Sequence, residues 1–174
     1  MTNTVPQLRS TTVSYLKSQP KLMLINGEWV EAISGKTFET INPANGKLLS
    51  SVSEADRQDI DRAVKAARGA FIGPWSKLKP KERQRLLLLL ADLVEANGEE
   101  LAELEVLDSG MPITTARQGM IVRVVDLFRY YAGWATKIHG ETIENSAPGE
   151  FFSYTLREPV GVVGAITPWN SPLV

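Results

Sequence analysis

A side-chain amide follows the last apolar run of the sequence, at a position from which it could assist a reaction. Residues 161–167 read GVVGAIT and are followed by Pro168, Trp169 and Asn170. The run lacks polar alternation, which favours a strand covered on both faces, as in a parallel sheet. Ligands of open α/β sheets sit at the carboxyl ends of such strands, and a neutral amide there can donate to an oxygen on which negative charge develops. An asparagine that only orders its own turn is the alternative.

Other residues of chemically useful types have weaker patterns. His139 is the only histidine and sits at a helix end, which favours a capping or surface role over catalysis. Glu105 and Asp108 lie one helical turn apart, but we expect the end of a surface helix to leave them solvated, without a raised pKa. Gly161 and Gly164 do not match the dinucleotide pattern G-x-G-x-x-G, so packing explains them equally well. A basic stretch without interleaved aromatic residues is expected to be the wet face of a helix start: Lys77, Lys79, Lys81, Arg83 and Arg85.

Composition narrows the class of protein. The chain has 174 residues, 43% of them hydrophobic and 22% charged, with a formal net charge of -1, which indicates a soluble folded protein rather than a nucleic-acid binder. A domain of this length is expected to bury roughly 70% of its unfolded surface. Cysteine is absent, which excludes disulfides, thiolate metal sites and thiol nucleophiles within these residues, and no metal site is predicted. The longest apolar run, residues 86–91, is far below the roughly 20 residues of a membrane span.

Periodicity divides the chain into segments. Residues 1–20 are interpreted as a mobile tail of a cytoplasmic protein, an interpretation favoured over a transit peptide. Residues 22–52 predict an antiparallel β-meander with turns at Asn-Gly pairs. Helices are predicted from an N-cap at Asp56, from Pro80, and over roughly 115–138, with the five leucines 86–90 packed on two sides. Strand periodicity returns after Gly140 and predicts two antiparallel strands.

In their order, these segments resemble the amino-terminal part of the NAD(P)-dependent aldehyde dehydrogenase family. The likeness runs from about Met23 to the last residue. It rests on six stretches: INGEWV at 25–30, INPANGKLL at 41–49, DIDRAVKAARGAF at 59–71, ELEVLDSGMP at 103–112, FRYYAGWATKIHGETI at 128–143 and REPVGVVGAITPWNSPL at 157–173.

The resemblance implies an α/β fold. Residues 21–139 would form the β-meander and helices of a cofactor-binding domain, and residues 140–160 a strand arm through which subunits assemble into homodimers or homotetramers. Residues 161–174 would form the first strand and loop of an incomplete Rossmann-like sheet. The resemblance further implies that Ile166, Thr167, Pro168 and Trp169 line the nicotinamide side of an NAD or NADP cleft. Asn170 would donate to the oxyanion of a thiohemiacetal.

The sequence departs from the family pattern in lacking the nucleophilic cysteine. The family's reaction, oxidation of an aldehyde to a carboxylic acid, is attack by a cysteine thiolate, hydride transfer to nicotinamide, and hydrolysis by a water that a glutamate deprotonates. We therefore expect this chain to be a truncated part of such an enzyme, inactive alone and poorly soluble or oligomeric. The alternatives are a non-catalytic short form that assembles with full-length subunits, or one that only binds cofactor. The aldehyde, and the choice between NAD and NADP, stay open.

Overall fold

Part of the amino-terminal segment is a helix that packs against a distant helix. The computed structural model describes residues 8–174, and helix α1 spans Ser10–Lys17. Thr12 is fully buried, and its hydroxyl donates to the carboxylate of Glu103. The backbone N–H of Arg9 donates to the same carboxylate at 3.1 Å. The mobile tail predicted for residues 1–20 is therefore corrected between Ser10 and Lys17, because a distant carboxylate satisfies the start of this helix; residues 1–7 lie outside the described part.

Two β-hairpins follow α1. Strands β1 (Met23–Ile25) and β2 (Glu28–Val30) pair antiparallel, as do β3 (Thr37–Ile41) and β4 (Leu48–Ser53). The predicted Asn-Gly turns are confirmed: Asn26, Gly27 and Gly46 all have positive φ, the conformation that glycine and asparagine tolerate best. The hairpins are separate two-stranded sheets within the described chain and not one continuous meander.

Helix α2 (Arg57–Ile72) begins at the predicted cap. The Asp56 side chain accepts a hydrogen bond from the N–H of Gln58, and the N–H of Asp56 donates to the Asp59 side chain. Asp59 is almost fully buried. Its carboxylate also accepts from the N–H of Ile33 at 3.1 Å, which ties α2 to the segment after β2. The expected apolar stripe of α2 does not lie on a core, since Ile60 is 56% exposed.

The remaining helices include the best-packed part of the chain. They are α3 (Pro74–Lys77), α4 (Pro80–Ala96), α5 (Gly98–Ser109), α6 (Ile113–Thr115), a π-helical segment (Ala116–Ile121) and α7 (Val122–Trp134). Small residues let these helices approach closely: Ala91, Ala102, Ala116 and Ala132 have no accessible surface. Arg129 of α7 reaches back to Asp92 of α4 at 3.1 Å. We refer to α4, α5, the π-helical segment and α7 as the helical unit.

Only one side of α4 is covered. It packs against α7, while Leu86, Leu89 and Leu93 are exposed. The described residues therefore pack against only one of the two sides of α4 that were predicted to be covered. The other side, a broad leucine-rich face, is exposed.

The carboxyl-terminal residues form little regular structure. The two predicted antiparallel strands are confirmed as a short pair, β5 (Thr142–Ile143) with β6 (Ser153–Tyr154). Residues 161–167 are not a strand and lie on the outside, with Ile166 100% exposed. This corrects the expected first strand of a parallel sheet: a strand requires a hydrogen-bonding neighbour, and the described residues place none beside it.

The accessible surface is large for this length. It is 13443 Å², whereas a compact monomer of 19.2 kDa has about 8,400 Å². The expectation of about 70% burial is therefore not met. None of the helices among residues 8–174 combines the length and apolar character of a membrane span.

Candidate functional site

Two consecutive turns follow the exposed run 161–167. The N–H of Ser171 approaches the carbonyl of Pro168 at 3.5 Å, and the N–H of Val174 donates to the carbonyl of Ser171 at 3.1 Å. Pro168 fixes φ at the start of the first turn, and Pro172 fixes φ inside the second. The sequence thus supplies a stiff turn, with Trp169 and Asn170 at its tip.

The amide of Asn170 is not used to build this turn. The Oγ of Ser171 donates to the backbone carbonyl of Asn170 at 2.7 Å, and no hydrogen bond among residues 8–174 involves the Asn170 side chain. The alternative in which Asn170 merely orders its own turn is thus not what the described residues show. Asn170 is exposed, and its side-chain amide carries two N–H donors.

The four residues expected to line a cofactor cleft are all exposed. Ile166 is 100% and Trp169 84% exposed, and Thr167 and Pro168 are exposed between them. A Cβ added at Gly164 would meet no atom within 4 Å, so the backbone there could be approached closely by a ligand. Apolar side chains predominate at these four exposed positions. The described residues do not enclose a dinucleotide.

Glu105 has an environment that the sequence interpretation did not anticipate. It is 4% exposed, and its Oε1 has no hydrogen-bond partner. Burial, and secondarily the charge of Asp108, raise the pKa of the Glu105 carboxyl. The expectation that these two acids are solvated is therefore wrong for Glu105. α1, β4 and residues 172–173 cover this end of α5 and leave a cavity of about 280 Å³ beside Glu105. No spacing within α5 reveals that cover.

The other candidates stay at the surface. His139 is exposed and lies beside Gly140 in an open groove of about 490 Å³. The basic stretch is also largely exposed, with Arg83 half-buried against a groove that Trp134 lines. No cluster of side chains suited to hold a metal ion occurs in the described part of the chain.

Comparison with known proteins identifies the family. The aldehyde dehydrogenase family model matches residues 29–174. The chain belongs to the aldehyde dehydrogenase family. It is 54% identical over 153 residues to a mitochondrial benzaldehyde dehydrogenase of Antirrhinum majus, covering 87% of this chain and 28% of that protein. It is 50% identical over 154 residues to the mitochondrial aldehyde dehydrogenase of Homo sapiens, covering 87% of this chain and 29% of that protein.

A solved structure agrees with the fold. The chain superimposes on an NAD+ complex of aldehyde dehydrogenase from Bacillus cereus with a TM-score of 0.91 at 50% identity, covering 96% of this chain and 34% of that one. The α/β fold class and the amino-terminal position of the match are confirmed. The chain spans about a third of the length of the relatives it matches.

Proposed function

We propose that a polypeptide completing this chain oxidises an aldehyde to a carboxylic acid with NAD or NADP, and that Asn170 is its oxyanion donor. The observation that carries this proposal is the exposed turn at residues 168–171, where the side-chain amide of Asn170 has no partner in the described chain. The chain's membership of the aldehyde dehydrogenase family supports it. Ile166, Thr167, Pro168 and Trp169 would form the adjoining wall for the nicotinamide ring.

The proposed chemistry assigns this chain one task. A thiolate from a cysteine outside these residues adds to the aldehyde carbon, and the carbonyl electron pair moves to oxygen. Asn170 donates to that oxygen as its negative charge develops, giving a thiohemiacetal held in place. A nicotinamide held against Ile166, Thr167, Pro168 and Trp169 would supply the hydride acceptor for the oxidation. Water then cleaves the resulting thioester and releases the acid.

A chimera tests this assignment. Residues 1–174 are joined to the remaining part of the Bacillus cereus aldehyde dehydrogenase, in place of its own matching segment. We expect Asn170→Ala to lower the kcat of an active chimera by about 10²–10³-fold, as for removal of one oxyanion donor elsewhere. Asn45→Ala, in an exposed turn, is the matched control and should keep kcat. A kcat of Asn170→Ala within about twofold of the parent would contradict the role of Asn170.

The 174-residue chain itself is expected to form no reduced cofactor from any aldehyde. It has no cysteine to supply the thiolate. Absorbance of reduced nicotinamide, followed with the purified chain and a panel of aliphatic and aromatic aldehydes, checks this expectation. Sustained aldehyde-dependent reduction would show that its chemistry is of another kind.

We also propose that residues 140–160 form an arm that assembles with other subunits of the family, in a homodimer or homotetramer. The β5–β6 pair is short, and exposed apolar side chains surround it, among them Phe151, Phe152 and Tyr154. Apolar patches with uncovered strand edges are typical of interfaces. A short form that only assembles with full-length subunits would use the same surface.

Size measurement by light scattering tests the arm. Phe152→Asp should shift the chain towards monomer, and should abolish its capture by tagged full-length subunits of the Bacillus cereus relative. Ile72→Asp, at a similarly exposed apolar residue of α2, should change neither. Equal effects of both substitutions would argue for non-specific association.

A further inference from the structure

One residue of the carboxyl-terminal segment is anchored in the helical unit. The core cluster of Ala102, Ala116 and Ile121 joins α5 to the π-helical segment, and Leu173 packs against it. By contrast, Val163, Ile166 and Trp169 of the same segment are all largely exposed. Leu173 is thus the apolar contact through which the described segment 161–174 reaches this core.

The anchor is close to the proposed donor along a stiff backbone. Two residues, Ser171 and Pro172, separate Leu173 from Asn170. The two turn hydrogen bonds span residues 168–174 and so include this stretch: Ser171 N–H to Pro168 O, and Val174 N–H to Ser171 O. Pro172, next to Leu173, further limits the backbone. Few backbone torsions between Leu173 and Asn170 can rotate freely, so a displacement of Leu173 is expected to move Asn170 as well.

We propose that Leu173 is a positioning residue: seated against Ala102, Ala116 and Ile121, it fixes the turn that presents the Asn170 amide. This inference rests on the proposed role of Asn170. Donors stabilise a transition state only when they are held at the oxygen before reaction, and small misplacements of catalytic groups are costly. The core of the helical unit thereby sets the geometry of a residue on the outside of the chain.

Kinetics of the active chimera test the proposal. Leu173→Ala should lower kcat by roughly tenfold or more with little change in the KM for aldehyde. Leu173→Met, which nearly preserves side-chain volume, should restore most of kcat. Ile113→Ala removes a comparable contact from the same cluster without touching the turn, and should lower the melting temperature but keep kcat. If Leu173→Ala fails to fold, Leu173→Val supplies a smaller truncation.

A double-mutant cycle separates positioning from general loosening. If Leu173 acts through Asn170, Leu173→Ala should lower kcat in the parent chimera and leave kcat unchanged in the Asn170→Ala background. An equal loss in both backgrounds overturns the inference and leaves the role of Asn170 standing. If Asn170→Ala itself has no effect, the proposed function fails instead.

Hydrogen exchange supplies a readout independent of turnover. In the 174-residue chain and in the chimera without cofactor, we expect Leu173→Ala to speed millisecond exchange of amides in peptide 167–174 by severalfold, and Ile113→Ala to leave it unchanged. Fast exchange in both variants, or in neither, would show that the Leu173 contact does not hold the turn and would overturn the inference.

Discussion

The helical unit and the carboxyl-terminal segment differ in where their partners lie. At the centre of the helical unit the neighbours come from the described residues themselves, and Ala102 and Ala116 lose their entire accessible surface. In residues 163–169, by contrast, the apolar side chains of Val163, Ile166 and Trp169 remain exposed. Apolar burial stabilises by roughly 25 cal/mol per Å², and the second region gains little of it from this chain. Apolar composition alone therefore does not define a core; the partner must be present.

The largest expected difference comes from placing the same charge in each region. Ala102→Asp buries a carboxylate against Ala116 and Ile121, and we expect it to cost more than about 4 kcal/mol and abolish cooperative unfolding. Ala165→Asp, in the exposed run, should change the free energy of unfolding by less than about 0.5 kcal/mol. Denaturant unfolding followed by circular dichroism compares them. Similar losses would mean that residues 161–167 are buried after all.

A smaller effect on stability tests whether α1 is packed against the helical unit. Thr12→Ala removes the buried hydroxyl that donates to Glu103, leaving the carboxylate less well satisfied, at a cost of about 1–3 kcal/mol in the free energy of unfolding. Thr11→Ala is the control, because that side chain is exposed on the same helix. The same unfolding measurement distinguishes them. Indistinguishable variants would return residues 10–17 to the mobile tail predicted from sequence.

The sequence was sufficient wherever the signal is local. The cap at Asp56, the helix start at Pro80 and the turn at Asn26 follow from residues within one helical or hairpin turn, and the structure has them there. The docking of α1 was missed because its anchor, Glu103, lies 91 residues from Thr12. The strand expected at 161–167 requires neighbours in space, which its own composition cannot supply.

The proposed site divides in the same way. The position of Asn170 at the tip of a proline-bounded turn could be predicted from the sequence, because the prolines and the apolar run are contiguous with it. The sequence does not show that the Asn170 amide lacks a partner in the described chain. Nor does it show that Leu173 reaches the core cluster, because that contact is made with α5 and the π-helical segment. The role of Asn170 came from the family resemblance and stays a proposal until the chimera is measured.

The smallest expected effect is a pH dependence of the melting temperature that arises from Glu105 in the helical unit. Burial raises the pKa of Glu105, so the folded chain holds its proton over a pH range in which the unfolded chain, with a glutamate pKa of about 4.3, does not. The stabilising contribution is complete below the unfolded pKa and is lost as pH rises through the folded pKa. Glu105→Gln, neutral at every pH, should therefore gain melting temperature relative to the parent as pH rises across this range.

Glu144→Gln, at an exposed position near the β5–β6 pair, provides the control for this titration. Its melting temperature should differ little from that of the parent, because substitutions at exposed positions away from buried contacts change stability little. A parallel profile for Glu105→Gln as well would mean that the cavity beside α5 hydrates the Glu105 carboxylate. Water would then reach the edge of the helical unit. The contrast with the carboxyl-terminal segment would rest only on the contacts made by Ala102, Ala116 and Ile121.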